Sequence, residues 1–166
     1  MKVAIMSDSH DHLANLEKAI DYINLNNISE IIFCGDFCSA IPVKLHFSRF
    51  KGPIHAVFGN TEDRMTITKL SLTSVTNLKI YGELGEMELE NLKFAFTHYP
   101  EYAEALANTG KYDYVCHGHT HEARQEKINS TILINPGEIM GVSEAPRFVV
   151  LDLNTRQLDI VLIEKI

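Results

Sequence analysis

The chain has 166 residues, 45% of them hydrophobic and 22% charged, which is ordinary for a globular protein and enough to bury a core without staples. Its formal net charge of −7 argues against a non-specific nucleic-acid binder, which would carry a basic face. Three cysteines, Cys34, Cys38 and Cys116, make no dense framework and leave one over from any pairing, so a reduced, cytoplasmic setting is expected.

Residues 2–6 hold an apolar run, VAIM, that stops at Ser7-Asp8-Ser9-His10, as a strand buried on both faces and then a loop would. Polar residues arrive after six positions, so the segment reads as neither a signal peptide nor a membrane span. Leu13, Leu16, Ala19, Ile20 and Ile23 recur at helical spacing, and the helix is expected to stop near Asn26-Asn27. Residues 30–34 (EIIFC) read as a second strand, ended by Gly35-Asp36. A weaker helix over residues 40–50 carries Pro42 in its first turn, where proline is tolerated. After the turn Lys51-Gly52-Pro53, a third strand over residues 54–58 ends in Gly59-Asn60. Strand, helix, strand, helix, strand is the pattern of a parallel sheet with covering helices. In such sheets the ligand crevice lies beyond the carboxyl ends of the strands.

Residues 64–77 are rich in Thr and Ser, with a short helix expected over 67–72. Residues 78–81, 85–89 and 92–97 read as adjacent strands joined by tight turns, the last of them ending at His98-Tyr99-Pro100. A helix over residues 101–109 stops at Gly110, and a strand over residues 112–116 runs into His117-Gly118-His119-Thr120-His121. Residues two apart on a strand share a face, so with an extended backbone past Gly118 the side chains of His119 and His121 project together. Short strands over residues 126–128 and 131–134 turn on Asn129-Ser130, Asn135-Pro136-Gly137 is a loop, and residues 147–153 and 157–163 form a closing hairpin. The expected fold is α/β in one domain over residues 1–166: a parallel sheet, a second and mostly antiparallel sheet packed on it, and helices outside.

Asp8, His10, Asp36, Asn60, His98, His119 and His121 all stand just past the ends of apolar strands. Singly, each has a structural explanation: Asp8 as a helix cap, Gly35-Asp36 as a turn, Gly59-Asn60 as a positive-φ corner. Together they put two carboxylates, an amide and four imidazoles into one structural slot. That is too many for a four-coordinate structural zinc. It suits two ions about 3.5–4 Å apart sharing a carboxylate, the arrangement that clamps both oxygens of phosphoryl transfer. Oxygen and nitrogen ligands without a thiolate point to manganese, iron, nickel or zinc rather than magnesium or calcium.

In chain order, D-x-H, G-D, G-N, an isolated His and G-H-x-H resemble the signature of the calcineurin-like metallophosphoesterases. The short chain and the stretches MSDSHDH, GDF and INPGE are similar to the small prokaryotic phosphodiesterase branch of that family, the YfcE type. The resemblance implies a four-layer α-β-β-α sandwich of two mixed sheets. It implies two divalent transition-metal ions, manganese first and nickel, iron or zinc after it, and a small phosphodiester hydrolysed by a hydroxide bridging them. It puts Asp8, His10 and His121 on the first ion and Asn60, His98 and His119 on the second, with Asp36 between, and makes Asp36, Asn60 and His119 the candidate catalytic residues. The partners implied are a small phosphoester, nucleic acid only as short or cyclic nucleotides, no membrane, and self-association left open. A phosphomonoesterase using the same site, and a non-catalytic scaffold like the retromer subunit that resembles this fold, stand as alternatives. The filled ligand positions count against the scaffold.

The departures from the family pattern carry expectations too. Many relatives read G-N-H-[DE], but here Thr61 and Glu62 follow Asn60. A threonine hydroxyl has no accessible pKa for protonating a leaving group, which favours esters with good leaving groups. Glu62 takes the place of the acidic neighbour that orients that imidazole in relatives. Tyr99-Pro100 replaces the usual glycine after the isolated histidine and reshapes the rim. His12 reads as a helix start, His46 and His55 as surface or packing residues, and Arg64 as a solvated loop arginine. His117 stays outside the ligand set. Cys34 and Cys116 read as core residues, and Cys38 as the one thiol near the pocket.

Overall fold

In the computed structural model, which describes residues 1–166, the layering follows from the alternation of strand side chains. In β1 (Lys2–Met6), Val3 and Ile5 enter one apolar layer while Ala4 and Met6 enter another. A strand apolar on both faces needs cover on both. β1 pairs in parallel with β2 (Glu30–Phe33), β2 with β3 (Ile54–Ala56), and β3 with β4 (Leu78–Ile80). On one face of this sheet lie α1 (Leu13–Leu25), α2 (Ile41–Leu45) and α3 (Arg64–Thr73). They bury Leu16, Ala19, Ile20 and Ile23, then Val43, and then Ile67 against it.

The second sheet runs β5 (Leu84–Leu89), β6 (Leu92–Thr97), β7 (Tyr114–Cys116), β9 (Thr131–Asn135), β8 (Arg124–Ile128) in spatial order. Its inner face gives Phe94, Phe96, Tyr114, Cys116 and Ile134 to the layer shared with Val3, Ile5, Ile32 and Val57 of the first sheet. Its outer face gives Ala95, Val115 and Leu133 to Ala103 and Ala107 of α4 (Pro100–Asn108). The order of layers is therefore three helices, sheet, sheet, one helix, and both sheets are mixed. No helix is long and apolar enough to cross a membrane.

Five details differ from the sequence reading. The strand at residues 78–80 does not neighbour the two that follow it; it is the edge of the first sheet, and Gly82, at φ 80°, turns the chain across to the second. The second sheet is not mostly antiparallel, since β6–β7 and β7–β9 are parallel pairs. The closing hairpin, β10 (Arg147–Asp152) and β11 (Leu158–Leu162), returns to the first sheet, with β10 antiparallel to β1. Helix α3 starts three residues earlier than expected because Asp63 caps it, accepting the N–H of Thr66 at 3.1 Å. The expected helix over residues 40–50 splits at His46 into α2 and a single 3-10 turn, Phe47–Arg49. The β5–β6 turn uses Glu90 and Asn91, both at positive φ, as a two-residue hairpin of the favoured twist requires.

Candidate metal centre

Parallel strands end at the same side of their sheet, and here both sheets end their parallel strands at one seam. Asp8 and His10 follow β1, Asp36 follows β2, Asn60 follows β3, His98 follows β6, and His119 and His121 follow β7. The structure brings all seven together. Oδ1 of Asp8 lies 3.7 Å from Nε2 of His10 and 3.5 Å from Nε2 of His121. On the other side, Nε2 of His98 is 3.2 Å from Oδ1 of Asn60, and Nδ1 of His119 is 3.1 Å from each of those two atoms. Oδ2 of Asp36 stands between the two groups, 3.3 Å from Nε2 of His10 and 3.4 Å from Nε2 of His98. Its Oδ1 accepts the N–H groups of Asn60 (2.9 Å) and Thr61 (3.2 Å), which pins the carboxylate plane.

This donor set fits cations. Asp8 and Asp36 are buried carboxylates, and Nε2 of His10 is a buried nitrogen with no hydrogen-bond partner. Lone pairs converging without protons between them are costly unless a cation sits among them. Ligand atoms of Asp8, His10 and His121 all lie within 4.8 Å of one another, as do those of Asp8, Asp36 and His98. The charges act on one another as well. Burial alone would push the Asp36 carboxyl up, but His98, the Asn60 N–H and His10 reverse this and hold it at about 2. Asp8 raises His10 above the ordinary imidazole value against the effect of burial. Burial would lower His98, yet the adjacent Asp36 raises it.

The backbone explains how the side chains converge. Asp8, His10, Asp36, His119 and His121 all have φ between 40° and 72°. Left-handed non-glycine residues cost roughly 1–2 kcal/mol each and gather where a site demands them. This geometry corrects the expectation for the G-H-x-H stretch. The chain does not stay extended past Gly118, so His119 and His121 part company. His119 joins His98 and Asn60, while His121 joins Asp8 and His10. Two glycines are needed for close approach rather than for turning. A Cβ on Gly118 would lie 1.9 Å from Ser7 Oγ, and one on Gly59 would lie 2.2 Å from Asp36 Oδ1.

Two glutamates hold this arrangement, and the sequence reading missed what both do. Oε1 of Glu62 accepts the N–H groups of Asp36, Phe37 (3.3 Å) and Gly59 (2.9 Å), tying the loop after β2 to the loop after β3. Oε2 shares the Gly59 N–H at 2.9 Å, so backbone donors compete for both oxygens with any imidazole placed at position 61. Glu138 is fully buried and meets Nδ1 of His121 at 2.7 Å. The one available signal was a glutamate directly after Asn-Pro-Gly.

The remaining candidates fall into place around the site. His12 caps α1 through Nδ1, accepting the N–H of Asn15. His46 is buried with neither ring nitrogen partnered, whereas His55 is bracketed by Glu30 and Tyr81 at 2.9 Å each. His117 is buried, and Cys34 and Cys116 lie in the layer between the sheets. Arg64 is tethered rather than merely solvated, since Nη2 donates to the carbonyl of Gly59 at 2.9 Å. Sγ of Cys38 is 3.3 Å from both Nδ1 of His10 and Oγ1 of Thr61. At the rim, the Tyr99 ring lies 5.2 Å from His98 and 5.4 Å from His119, with Tyr102 5.8 Å beyond it.

Comparison with known proteins bears on the family and the fold. The sequence pattern of the calcineurin-like phosphoesterase superfamily domain matches residues 1–156. A phosphodiesterase of Methanocaldococcus jannaschii is 35% identical over 167 aligned residues, covering 99% of this chain and 100% of the relative. The solved structure of a novel archaeal phosphodiesterase superposes with a TM-score of 0.89 at 34% identity, covering 98% of this chain and 99% of the other. Two remoter structures share the fold. YfcE, a phosphoesterase from E. coli, gives a TM-score of 0.67 at 20% identity, covering 98% of this chain and 100% of its own. Wild-type Vps29 of Entamoeba histolytica complexed with zinc gives 0.70 at 19% identity, covering 96% and 90%.

Proposed function

Since the chain belongs to the calcineurin-like phosphoesterase superfamily, we propose that it is a metal-dependent phosphodiesterase acting on small phosphate esters at a pair of divalent cations. The observation that carries this reading is the Asp36 carboxylate. One of its oxygens is pinned by two backbone N–H groups and the other faces His10 and His98 from between two separate donor clusters. Asp8, His10 and His121 would hold one ion and Asn60, His98 and His119 the other, with Asp36 shared. The oxygen and nitrogen donors suit manganese first, then nickel, iron or zinc. Bound ions would lower the pKa of water between them and draw charge from the phosphoryl oxygens.

The chain's own groups set up the rest. Nδ1 of His98 donates to the Cys34 carbonyl at 2.8 Å, which leaves the Nε2 lone pair directed inward. Asn60 and His119 would stabilise charge building on the phosphoryl oxygens. Position 61 supplies no proton, because a threonine hydroxyl has no accessible pKa for that transfer; its Oγ1 lies 3.3 Å from Sγ of Cys38. Departure of the leaving group then depends on its own acidity, which favours aryl and other activated diesters. Tyr99 offers such a ring a face beside His119. A purely structural scaffold is disfavoured, because all seven donor positions are filled and converge.

The test is metal analysis of the purified protein together with turnover of bis-p-nitrophenyl phosphate and p-nitrophenyl phosphate. Two bound ions and faster hydrolysis of the diester are expected. Faster hydrolysis of the monoester would make it a phosphomonoesterase, and bound metal with no turnover of either ester would make it a scaffold.

A further inference from the structure

Glu138 is a fully buried carboxylate outside the seven-residue set that touches one member of it. It follows Asn135-Pro136-Gly137 in the connection from β9 to β10. Three consecutive backbone N–H groups, of Val142 (2.8 Å), Ser143 and Glu144 (2.9 Å), converge on its Oε1. Such a nest holds an ionised carboxylate in place. With Oε1 saturated, Oε2 is left with one partner, Nδ1 of His121 at 2.7 Å. The other imidazoles are backed differently: His98 meets the Cys34 carbonyl, and His10 meets the Cys38 thiol. Among the four, His121 alone rests on a carboxylate through the nitrogen turned away from the site.

We propose that Glu138 is a positioning residue that sets the tautomer and ring plane of His121, so that Nε2 presents a lone pair to the first cation. An ionised carboxylate only accepts hydrogen bonds, so Nδ1 must carry the proton of the neutral imidazole. Nε2 then keeps its lone pair, which faces Oδ1 of Asp8 at 3.5 Å. Without Glu138 the preference reverses. Asp8 would draw the proton to Nε2, and His121 would hydrogen-bond to Asp8 in place of binding a cation. Carboxylate backing also makes the imidazole a stronger ligand. The inference rests on the reading of His121 as a ligand, and it assigns that ligand's orientation to a residue from a different loop.

Glu138→Gln separates orientation from architecture. The glutamine oxygen can still fill the nest formed by residues 142–144, but its NH2 then faces Nδ1 and must find an acceptor there. In the metal-free protein, imidazole 15N chemical shifts are expected to place the His121 proton on Nδ1 in wild type and on Nε2 in Glu138→Gln. Calorimetric titration with manganese alone is expected to show a 10–100-fold loss of affinity at one of two sites, with the other unchanged. The melting temperature of the metal-free variant should stay near that of wild type, whereas Glu138→Ala, which empties the nest, should melt lower. The proposal is overturned if His121 has the same tautomer in both proteins and manganese affinity changes less than twofold. It is also overturned if Glu138→Gln weakens both sites equally along with a large fall in melting temperature, which would mark a structural role only. Wild-type protein that bound no divalent cation would instead remove the reading of the site, and with it any role of Glu138 toward a metal.

Discussion

Asp36→Asn puts the shared position to the sharpest test. An asparagine there has two orientations and neither works. With its oxygen toward the N–H groups of Asn60 and Thr61, its NH2 points at His10 and His98, where a cation should sit. Flipped, the NH2 faces two N–H donors. Loss of both ions is therefore expected, and not of one. The cost to the metal-free fold can be worked separately. The Asp36 carboxyl is held at about 2 against an ordinary 3.8, a gap worth roughly 2 kcal/mol in favour of the ionised form. Since the folded-state value is the lower one, this stabilisation is present in full above the unfolded value of 3.8. It is lost as pH falls through about 2. At pH 7 the metal-free variant should melt about 4–8 °C below wild type for a chain of this size, and the gap should close toward pH 2. The assays are inductively coupled plasma analysis of bound metal, turnover of bis-p-nitrophenyl phosphate, and melting by circular dichroism in chelator across pH. A variant that kept two ions and normal turnover would refute the shared-carboxylate argument. One that melted with wild type at every pH would refute the electrostatic one.

Chelation should abolish activity reversibly while far-UV circular dichroism stays unchanged, because three apolar layers hold the fold; unfolding on chelation would make the site structural. Rates for a series of aryl diesters should fall steeply with rising leaving-group pKa, and Thr61→His should leave that slope intact, because Oε1 of Glu62 is committed to backbone N–H groups and Oε2 shares that of Gly59. A markedly shallower slope in Thr61→His would show that Glu62 can be released. Tyr99→Ala should raise KM for an aryl diester by about 3–10-fold, the value of one aromatic contact, and leave that of a methyl diester alone. An equal effect on both substrates would mean that Tyr99 only supports His119.

Much of this was legible because parallel strands announce themselves: an apolar run, a polar stop, a helix, and again. The ends of β1, β2, β3, β6 and β7 carry Asp8, Asp36, Asn60, His98 and His119 for that reason. What stayed hidden was non-local. Nothing in residues 147–162 says which sheet the last hairpin joins, since pairing with β1 depends on geometry at the far end of the chain. The parting of His119 and His121 depends on two left-handed residues, which no side-chain pattern records. Glu62 read only as the acidic neighbour of position 61 and Glu138 only as the last letter of INPGE, because a buried glutamate differs from an exposed one only in the backbone donors that surround it.

The seven donors ride on two separate bodies: Asp8, His10, Asp36 and Asn60 extend from one sheet, and His98, His119 and His121 from the other. Behind the site, Val57 and Ile32 meet Phe94 and Phe96 through apolar contact, which resists separation but has little sense of register. Coordination bonds do have register. A pair of cations at the seam would work as a rivet, blocking sliding of one sheet over the other as well as holding a substrate. Trimming Phe96, which lies between the sheets two residues before His98, to leucine should therefore show up first as weaker cation binding. Loading the site should slow unfolding by more than it changes the shape of the molecule.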